Sequence, residues 1–356
     1  MNRLKQSILR LIHAQGPLSI GEFMQIAFLD PSHGYYMGRD PLGRDFITAP
    51  EVSQIFGELI GLFFVQVWED RGRPGRFHLV ELGPGRGTLM ADLLRASRLR
   101  PGFAQAAHVH LIEVSPALRA IQAKALADVR ASWGGSLDEV PHDAPLFLVA
   151  NEFFDALAIR QFVRMNDGWH ERMIAADGEE LIFATSPDSV PDLAVPAELR
   201  GAREGAIFET SSASRAIVQE IGRRIAEQGG AALIIDYGHA ASGLGDTFQA
   251  VKAHRYADPL AEPGEADLTA HVDFGALAAA AREEGAAVFG PAGQGAFLDS
   301  LGIRQRAERL KASAPHEAAA IEAAIDRLTG TEQMGTLFKV LALAAPGTPM
   351  LPGFPC

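Results

Sequence analysis

Acidic side chains stand at the ends of four apolar runs in this sequence. Glu81 closes Phe77-His78-Leu79-Val80, Glu113 closes Val109-His110-Leu111-Ile112, Glu152 follows Leu146-Phe147-Leu148-Val149-Ala150-Asn151, and Asp236 closes Ala231-Ala232-Leu233-Ile234-Ile235. In doubly wound α/β folds, strand ends of this kind face the ligand crevice. Three alternate glycines, Gly83, Gly85 and Gly87, separate Glu81 from Thr88 and a helical pattern. Glycine accepts positive φ and lets the backbone approach a ligand closely, and a helix opening near Thr88 presents unpaired N–H groups. The chemistry indicated is the binding of a nucleotide-like cofactor.

The two acids discriminate among cofactors. The third glycine comes one residue early for a dinucleotide fingerprint, and Arg86-Gly87-Thr88 lacks the Gly-Lys-Ser/Thr of a Walker loop. Glu113 holds the position that accepts ribose hydroxyls in doubly wound folds. Glu81 would repel a pyrophosphate; it suits a cationic ligand, such as the amino acid and sulfonium end of S-adenosylmethionine, through charge-assisted hydrogen bonds. The plain alternative is a glycine-rich βα turn that holds nothing.

Further candidates lie later in the chain. Glu152 and Asp155 are spaced so that one turn can present both to one pocket, or so that they cap a following helix. Asp236, Tyr237 and His239 can line a substrate channel or accept a proton, unless Asp236 only caps a helix. Asp267, His271 and Asp273 invite a metal reading, but the ligand set is too sparse and no metal is expected. Thr48 and Glu51 have capping-box spacing with Pro50 in the first turn, an N-terminus that can point N–H groups into the cofactor cleft.

These groups require a scaffold, and the composition allows one. With 356 residues, 47% hydrophobic and 21% charged, the chain buries a sizeable core in one large domain or two, and no apolar run approaches a membrane span. A net charge of −12 opposes nucleic-acid binding. The single cysteine, Cys356, allows no internal disulfide and fits a reducing compartment. Arg3, Lys5 and Arg10 among Leu4, Ile8, Leu9, Leu11 and Ile12 have the look of a mitochondrial presequence. That helix runs straight into patterned sequence, however, and the Ala- and Arg-heavy composition favours a soluble bacterial cytoplasmic chain.

The pattern also orders the elements. Ser19 and Glu22 open a second helix as a capping box, and Tyr35 and Tyr36 anchor the N-terminal segment. Val52, Ile55, Phe56, Leu59, Ile60, Phe63, Phe64 and Val67 recur at three and four, the stripe of a helix starting from Thr48. Ile159 to Ile174 reads as a β-hairpin about Asn166-Asp167-Gly168 at the sheet edge, Thr185 to Arg203 as an exposed connection, and Ser211 to Glu227 as a helix. Helical patterns at 275–285 and 303–328 suggest a mostly helical cap over about 250–330. Met334 to Leu343 closes the sheet, and the tail after Ala345 is expected to fray.

The run Asp45-Phe46-Ile47-Thr48-Ala49-Pro50-Glu51-Val52-Ser53-Gln54-Ile55-Phe56-Gly57, followed by Glu81-Leu82-Gly83-Pro84-Gly85-Arg86-Gly87-Thr88, resembles the MidA family of S-adenosylmethionine-dependent methyltransferases. The resemblance extends from about Leu18 to about Ala342, with Ala158 where the family usually has proline. It implies an α/β, class I methyltransferase fold: a Rossmann-like, mostly parallel seven-stranded sheet with an N-terminal helical segment and an inserted helical cap. The boundaries expected are 1–75 for the N-terminal segment, 76–345 for the methyltransferase domain and 346–356 for the tail. The cofactor implied is S-adenosylmethionine, with S-adenosylhomocysteine as product, held by Thr48, Pro50, Glu51, Glu81, Gly83, Gly85, Gly87, Thr88, Glu113, Val114 and Asn151. Catalytic roles fall to Glu152, Asp155, Asp236 and His239.

The mitochondrial members resemble assembly factors of respiratory complex I. The activity implied is symmetric dimethylation of an arginine in a quinone-side core subunit, in the mitochondrial matrix for eukaryotic relatives. A small-molecule methyltransferase and a non-catalytic, cofactor-binding chaperone are the alternatives, since one fold serves many acceptors. The oligomeric state is not legible in the sequence.

Overall fold

The computed structural model describes residues 2–37, 47–191 and 195–354, so Asp45-Phe46 of the first motif and Cys356 lie outside the described residues. The chain forms two compact units. One comprises Met1–Phe46, Asp155–Arg215 and Ala241–Asp273; the other comprises Ile47–Phe154, Ala216–Ala240 and Phe274–Cys356.

The second unit is organised on seven strands: β1 (Phe77–Leu82), β2 (Ala107–Ile112), β3 (Ala131–Gly134), β4 (Leu146–Asn151), β5 (Gly230–His239), β6 (Ala287–Gly293) and β7 (Phe338–Ala344). They lie in the order β6-β7-β5-β4-β1-β2-β3. From β5 through β3 all neighbours are parallel, whereas β7 runs antiparallel to both β5 and β6. Every residue of β1 and β4 is buried, which explains apolar runs without alternation. The chain steps outward from β1 to β3 and returns at β4, so the switch point, where such sheets hold ligands beyond the strand carboxyl ends, lies between β1 and β4. Leu82 pairs with Ala150, which brings Glu81 and Asn151 to the same end of adjacent strands.

Helix α1 (Gln54–Asp70) packs its stripe of Ile55, Phe56, Leu59, Ile60, Phe63, Phe64 and Val67 into the core of this unit. It lies very close to α2 (Thr88–Ser97): a Cβ on Gly57 would stand 2.6 Å from Asp92 Cβ, and one on Gly61 2.6 Å from the Leu93 carbonyl oxygen. Buried Glu58 accepts hydrogen bonds from Arg95 at 2.9 Å and from Arg306 at 2.7 and 3.2 Å. The helix does not start at Thr48. A separate turn, Ala49–Val52, follows Thr48, whose side chain makes no cap; the chain extends at Ser53, and Ser53 caps α1 through Ile55 N. Glu51 is drawn away from a capping box because its carboxylate accepts the Thr88 hydroxyl at 2.6 Å.

The remaining helices of this unit include α3 (Pro116–Ala125), α4 (Ser212–Gln228, within the unit from Ala216), α5 (Phe274–Glu283), α6 (Gln294–Ser300), α7 (Ile303–Ser313) and α8 (Ala318–Thr329). The short turn Met334–Leu337 precedes β7. Asp236-Tyr237-Gly238-His239 lies inside β5, which continues past its apolar run because β7 pairs with it as far as Tyr237. The end of the described chain is not frayed: Leu351 and Phe354 are buried, and Phe354 packs its ring 5.3 Å from that of Phe297.

The other unit starts from helices Arg3–Gln15 and Ile20–Leu29, the latter with the expected Ser19/Glu22 capping box. Leu4, Ile8, Phe23, Met24 and Tyr35 share a core with Ile174 and Leu268. Tyr36 donates to Asp267 at 2.8 Å; burial first, then the charges of Asp267 and Asp155, hold its hydroxyl well above the ordinary phenol range. The hairpin forms with Met165 opposite Gly168, but it does not extend the mostly parallel sheet. It joins Leu18–Ser19, Glu180–Val190 and Ile207–Thr210 in an antiparallel sheet of its own. Thr185 to Val190, read as part of an exposed connection, pairs within that sheet. Where a helical cap is expected, residues 249–252, 255–257 and 267–269 are short strands, and the helices begin only at Phe274.

Candidate active site

The turn after β1 is built as its glycines require. Gly83, Gly85 and Gly87 have φ of 61°, 54° and 82°. At Gly83 a Cβ would also lie 2.8 Å from the Phe153 ring, so the turn both curls left-handed and packs against the chain after β4. Gly87 is the left-handed residue from which α2 starts, with no side-chain cap over its N-terminus.

Glu81 is 3% exposed. Burial pushes its carboxyl well above the usual carboxylate range, against one main-chain hydrogen bond from Met90, and Oε2 is buried without a hydrogen-bond partner. Asn151 presents a second such acceptor, Oδ1, while its Nδ2 donates to Glu152 Oε1 at 3.0 Å. Two buried acceptors lacking donors at adjacent strand ends fit an ammonium group, whose three N–H bonds have no acceptor needs of their own.

Glu113 is also buried, and burial raises its carboxyl. Hydrogen bonds moderate the shift: Ser115 N reaches Oε1 at 2.7 Å and Gln122 Nε2 reaches Oε2 at 3.1 Å. The next residue, Val114, is 50% exposed, leaving an apolar face beside the acid. A diol acceptor with an adjoining apolar face fits an adenosine.

Glu51 connects the Ala49–Val52 turn to this loop through Thr88 and through Arg86, 3.7 Å from Oε2. Ala49 N donates to Glu152 Oε1 at 2.8 Å, so Thr48, Ala49 and buried Pro50 lie against the β4 end. Glu152 has φ of 50°, a left-handed conformation that a non-glycine residue holds only when its surroundings impose it. Asp236 imposes much of it. Fully buried, it accepts from Phe153 N at 3.2 Å, Phe154 N at 3.0 Å and Tyr237 N at 2.9 Å.

His239 ends β5, half-buried. Asp155 falls in the other unit, where its carbonyl accepts Ala270 N at 3.0 Å. No helix follows Glu152 before β-structure resumes at Arg160, which removes the helix-capping explanation for Glu152 and Asp155. Among the described residues, no group of three or more His, Cys, Asp or Glu side chains could hold a metal ion.

Gln122, Trp133 and Phe153 escaped the sequence reading. Gln122 carried a signal: it is the polar member of the buried face of α3, four residues after Leu118.

Seven strands in this order, with a glycine turn after the first and an acid after the second, define a class I S-adenosylmethionine-dependent methyltransferase. Residues 59–292 match the family described as "Putative S-adenosyl-L-methionine-dependent methyltransferase", and the chain belongs to that family, the one its motifs resemble. It is 38% identical to the zebrafish (Danio rerio) protein arginine methyltransferase NDUFAF7, mitochondrial, over 93% of this chain and 84% of the relative. The human (Homo sapiens) protein of the same name is 36% identical over 93% and 81%. A crystal structure from Burkholderia thailandensis with S-adenosyl-homocysteine bound superposes with a TM-score of 0.85 at 28% identity, covering 98% of this chain and 93% of the other.

Proposed function

We propose that this methyltransferase dimethylates, symmetrically, an arginine of a quinone-side core subunit of respiratory complex I and so supports assembly of that complex. The observation that carries this reading is identity of 36 to 38% over 93% of the chain with relatives named as mitochondrial protein arginine methyltransferases. The complex I acceptor comes from the family resemblance. For this chain the composition favours the bacterial cytoplasm; among the described residues no helix is long and apolar enough to cross a membrane.

In this mechanism Glu81 and Asn151 hold the amino acid end of the cofactor, Glu113 the ribose, Val114 the adenine face, and the turn Gly83 to Gly87 the chain between them. When bound, S-adenosylmethionine supplies an electrophilic methyl carbon. An arginine acceptor is cationic at any working pH, with a pKa above about 12, and its lone pairs are delocalised. Glu152 would orient the guanidinium and draw its positive charge away from one terminal nitrogen, leaving that nitrogen's lone pair available for transfer. One proton leaves that nitrogen, and we assign its acceptance to His239, at the end of β5. Asp236 acts as a positioning residue through the three main-chain groups it holds. Alignment of the reactants contributes up to roughly 7–11 kcal/mol.

Mass spectrometry of the complex I core subunit from cells carrying or lacking the gene tests this reading. A dimethylated arginine is expected in the wild type, lost on deletion, restored by the wild-type gene and not restored by Glu152→Gln. An unmodified arginine in wild-type cells would overturn the acceptor assignment and favour a binding role. In vitro, Glu152→Gln is expected to abolish transfer while S-adenosylhomocysteine affinity stays within about threefold.

A further inference from the structure

We propose that Gln122, locked in orientation by Trp133, is a positioning residue that couples the glycine turn to the ribose-binding carboxylate and thereby sets affinity for the adenosyl cofactor. The inference rests on the assignment of Glu113 to the ribose. Ser115 caps α3 through Leu118 N, with Pro116 in the first turn, and fixes the helix immediately after the acid. Nearly two turns later the helix presents Gln122 inward, fully buried. A Cβ on Gly87 would lie 3.5 Å from Gln122 Cα, so this part of the helix packs directly on the turn.

The Gln122 carboxamide makes three hydrogen bonds to three different segments. Nε2 donates to the Gly85 carbonyl at 2.8 Å and to Glu113 Oε2 at 3.1 Å, and Oε1 accepts the Trp133 indole N–H at 2.9 Å. An indole only donates, so Oε1 must face Trp133 and both amide N–H bonds must face the other two acceptors. The orientation of the amide is thus chosen by a residue on β3. Ser115 N fixes the other oxygen of Glu113 at 2.7 Å, so the carboxylate is held at both oxygens before any ligand arrives. A burial site filled only for packing would hold a leucine or methionine at lower desolvation cost. The amide is there because it connects the glycine turn to the ribose-binding carboxylate.

The chemistry separates this role from simple packing. Gln122→Met keeps the volume and removes all three hydrogen bonds; Trp133→Phe keeps an aromatic ring and removes only the donor that orients the amide. We expect S-adenosylhomocysteine binding, measured by calorimetry on the full chain, to weaken roughly tenfold or more in Gln122→Met and roughly threefold to tenfold in Trp133→Phe. In turnover with S-adenosylmethionine, the loss should fall more on KM than on kcat. Glu113→Gln is measured alongside. If Glu113→Gln weakens binding at least tenfold while both other variants stay within about twofold of wild type, the positioning role is overturned and the ribose assignment stands. If Glu113→Gln binds like wild type, the ribose assignment fails and the inference fails with it. Trp133→Phe keeps the test decisive should Gln122→Met not fold.

Discussion

Glu81 is held where a carboxylate is least comfortable in the free protein, buried with one oxygen lacking a donor. Its folded pKa lies well above the unfolded value near 4.5, so the native state binds the extra proton. Stability from this group therefore declines as pH rises above the unfolded value and through the raised folded value. Glu81→Gln removes that penalty. The variant should melt higher than wild type when ligand-free, by a margin that grows from pH 5 to pH 8, yet bind S-adenosylmethionine at least roughly tenfold more weakly for want of the charge-assisted bond. A margin that shrinks with pH would show that Glu81 is not the buried acid described.

The glycine turn was legible at this scale because residue type follows from a backbone demand: positive φ calls for glycine, and Gly83, Gly85 and Gly87 adopt it. Gln122 and Trp133 were not legible, because their hydrogen bonds depend on how α3 meets β1, β2 and β3, which no local pattern encodes. Likewise Asp155 shares a three-residue spacing with Glu152, but spacing does not reveal that the chain leaves one compact unit at Phe154.

At the scale of elements, the contact of α1 with α2 sets two effects against each other. Alanine is the better helix former, and replacing Gly61 on propensity alone should stabilise by about 1 kcal/mol. The added methyl would stand 2.6 Å from the Leu93 carbonyl oxygen, and backbone cannot rotate away as a side-chain tip can. Overpacking of this kind costs about 1–3 kcal/mol, so Gly61→Ala should lower the melting temperature on balance. A rise in thermal denaturation would mean that the two helices part easily.

The stripe of α1 announced the helix but not its entry. Thr48 and Glu51 have the right spacing for a capping box, yet the Thr88 hydroxyl, distant in sequence, competes for Glu51 and wins. The strands at 249–252, 255–257 and 267–269 are three or four residues long, too short for a period of two to register. The hairpin was legible as a hairpin because its turn is local. Its sheet was not, because strand partners are chosen by tertiary context.

For the whole molecule, the chain passes between its two units five times, so neither unit is a continuous segment. The pieces of each unit are joined in sequence through pieces of the other, which favours one cooperative unfolding transition. Ligand binding provides the measure. S-adenosylhomocysteine at about a hundred times its dissociation constant stabilises the state that binds it by about 2.7 kcal/mol. Unfolding entropy is about 2.1 cal/mol/K per residue, so for the full chain of 356 residues that stabilisation raises the melting temperature by only about 3–4 °C. Were the sheet-bearing unit to melt alone, its smaller unfolding entropy would let the same ligand raise its melting temperature by about 6 °C and leave a second transition unmoved. Calorimetric scans with and without ligand should therefore show a single peak shifted by the smaller amount. Two peaks, with only one responding, would show that the segments joined through five crossings nonetheless unfold as independent bodies.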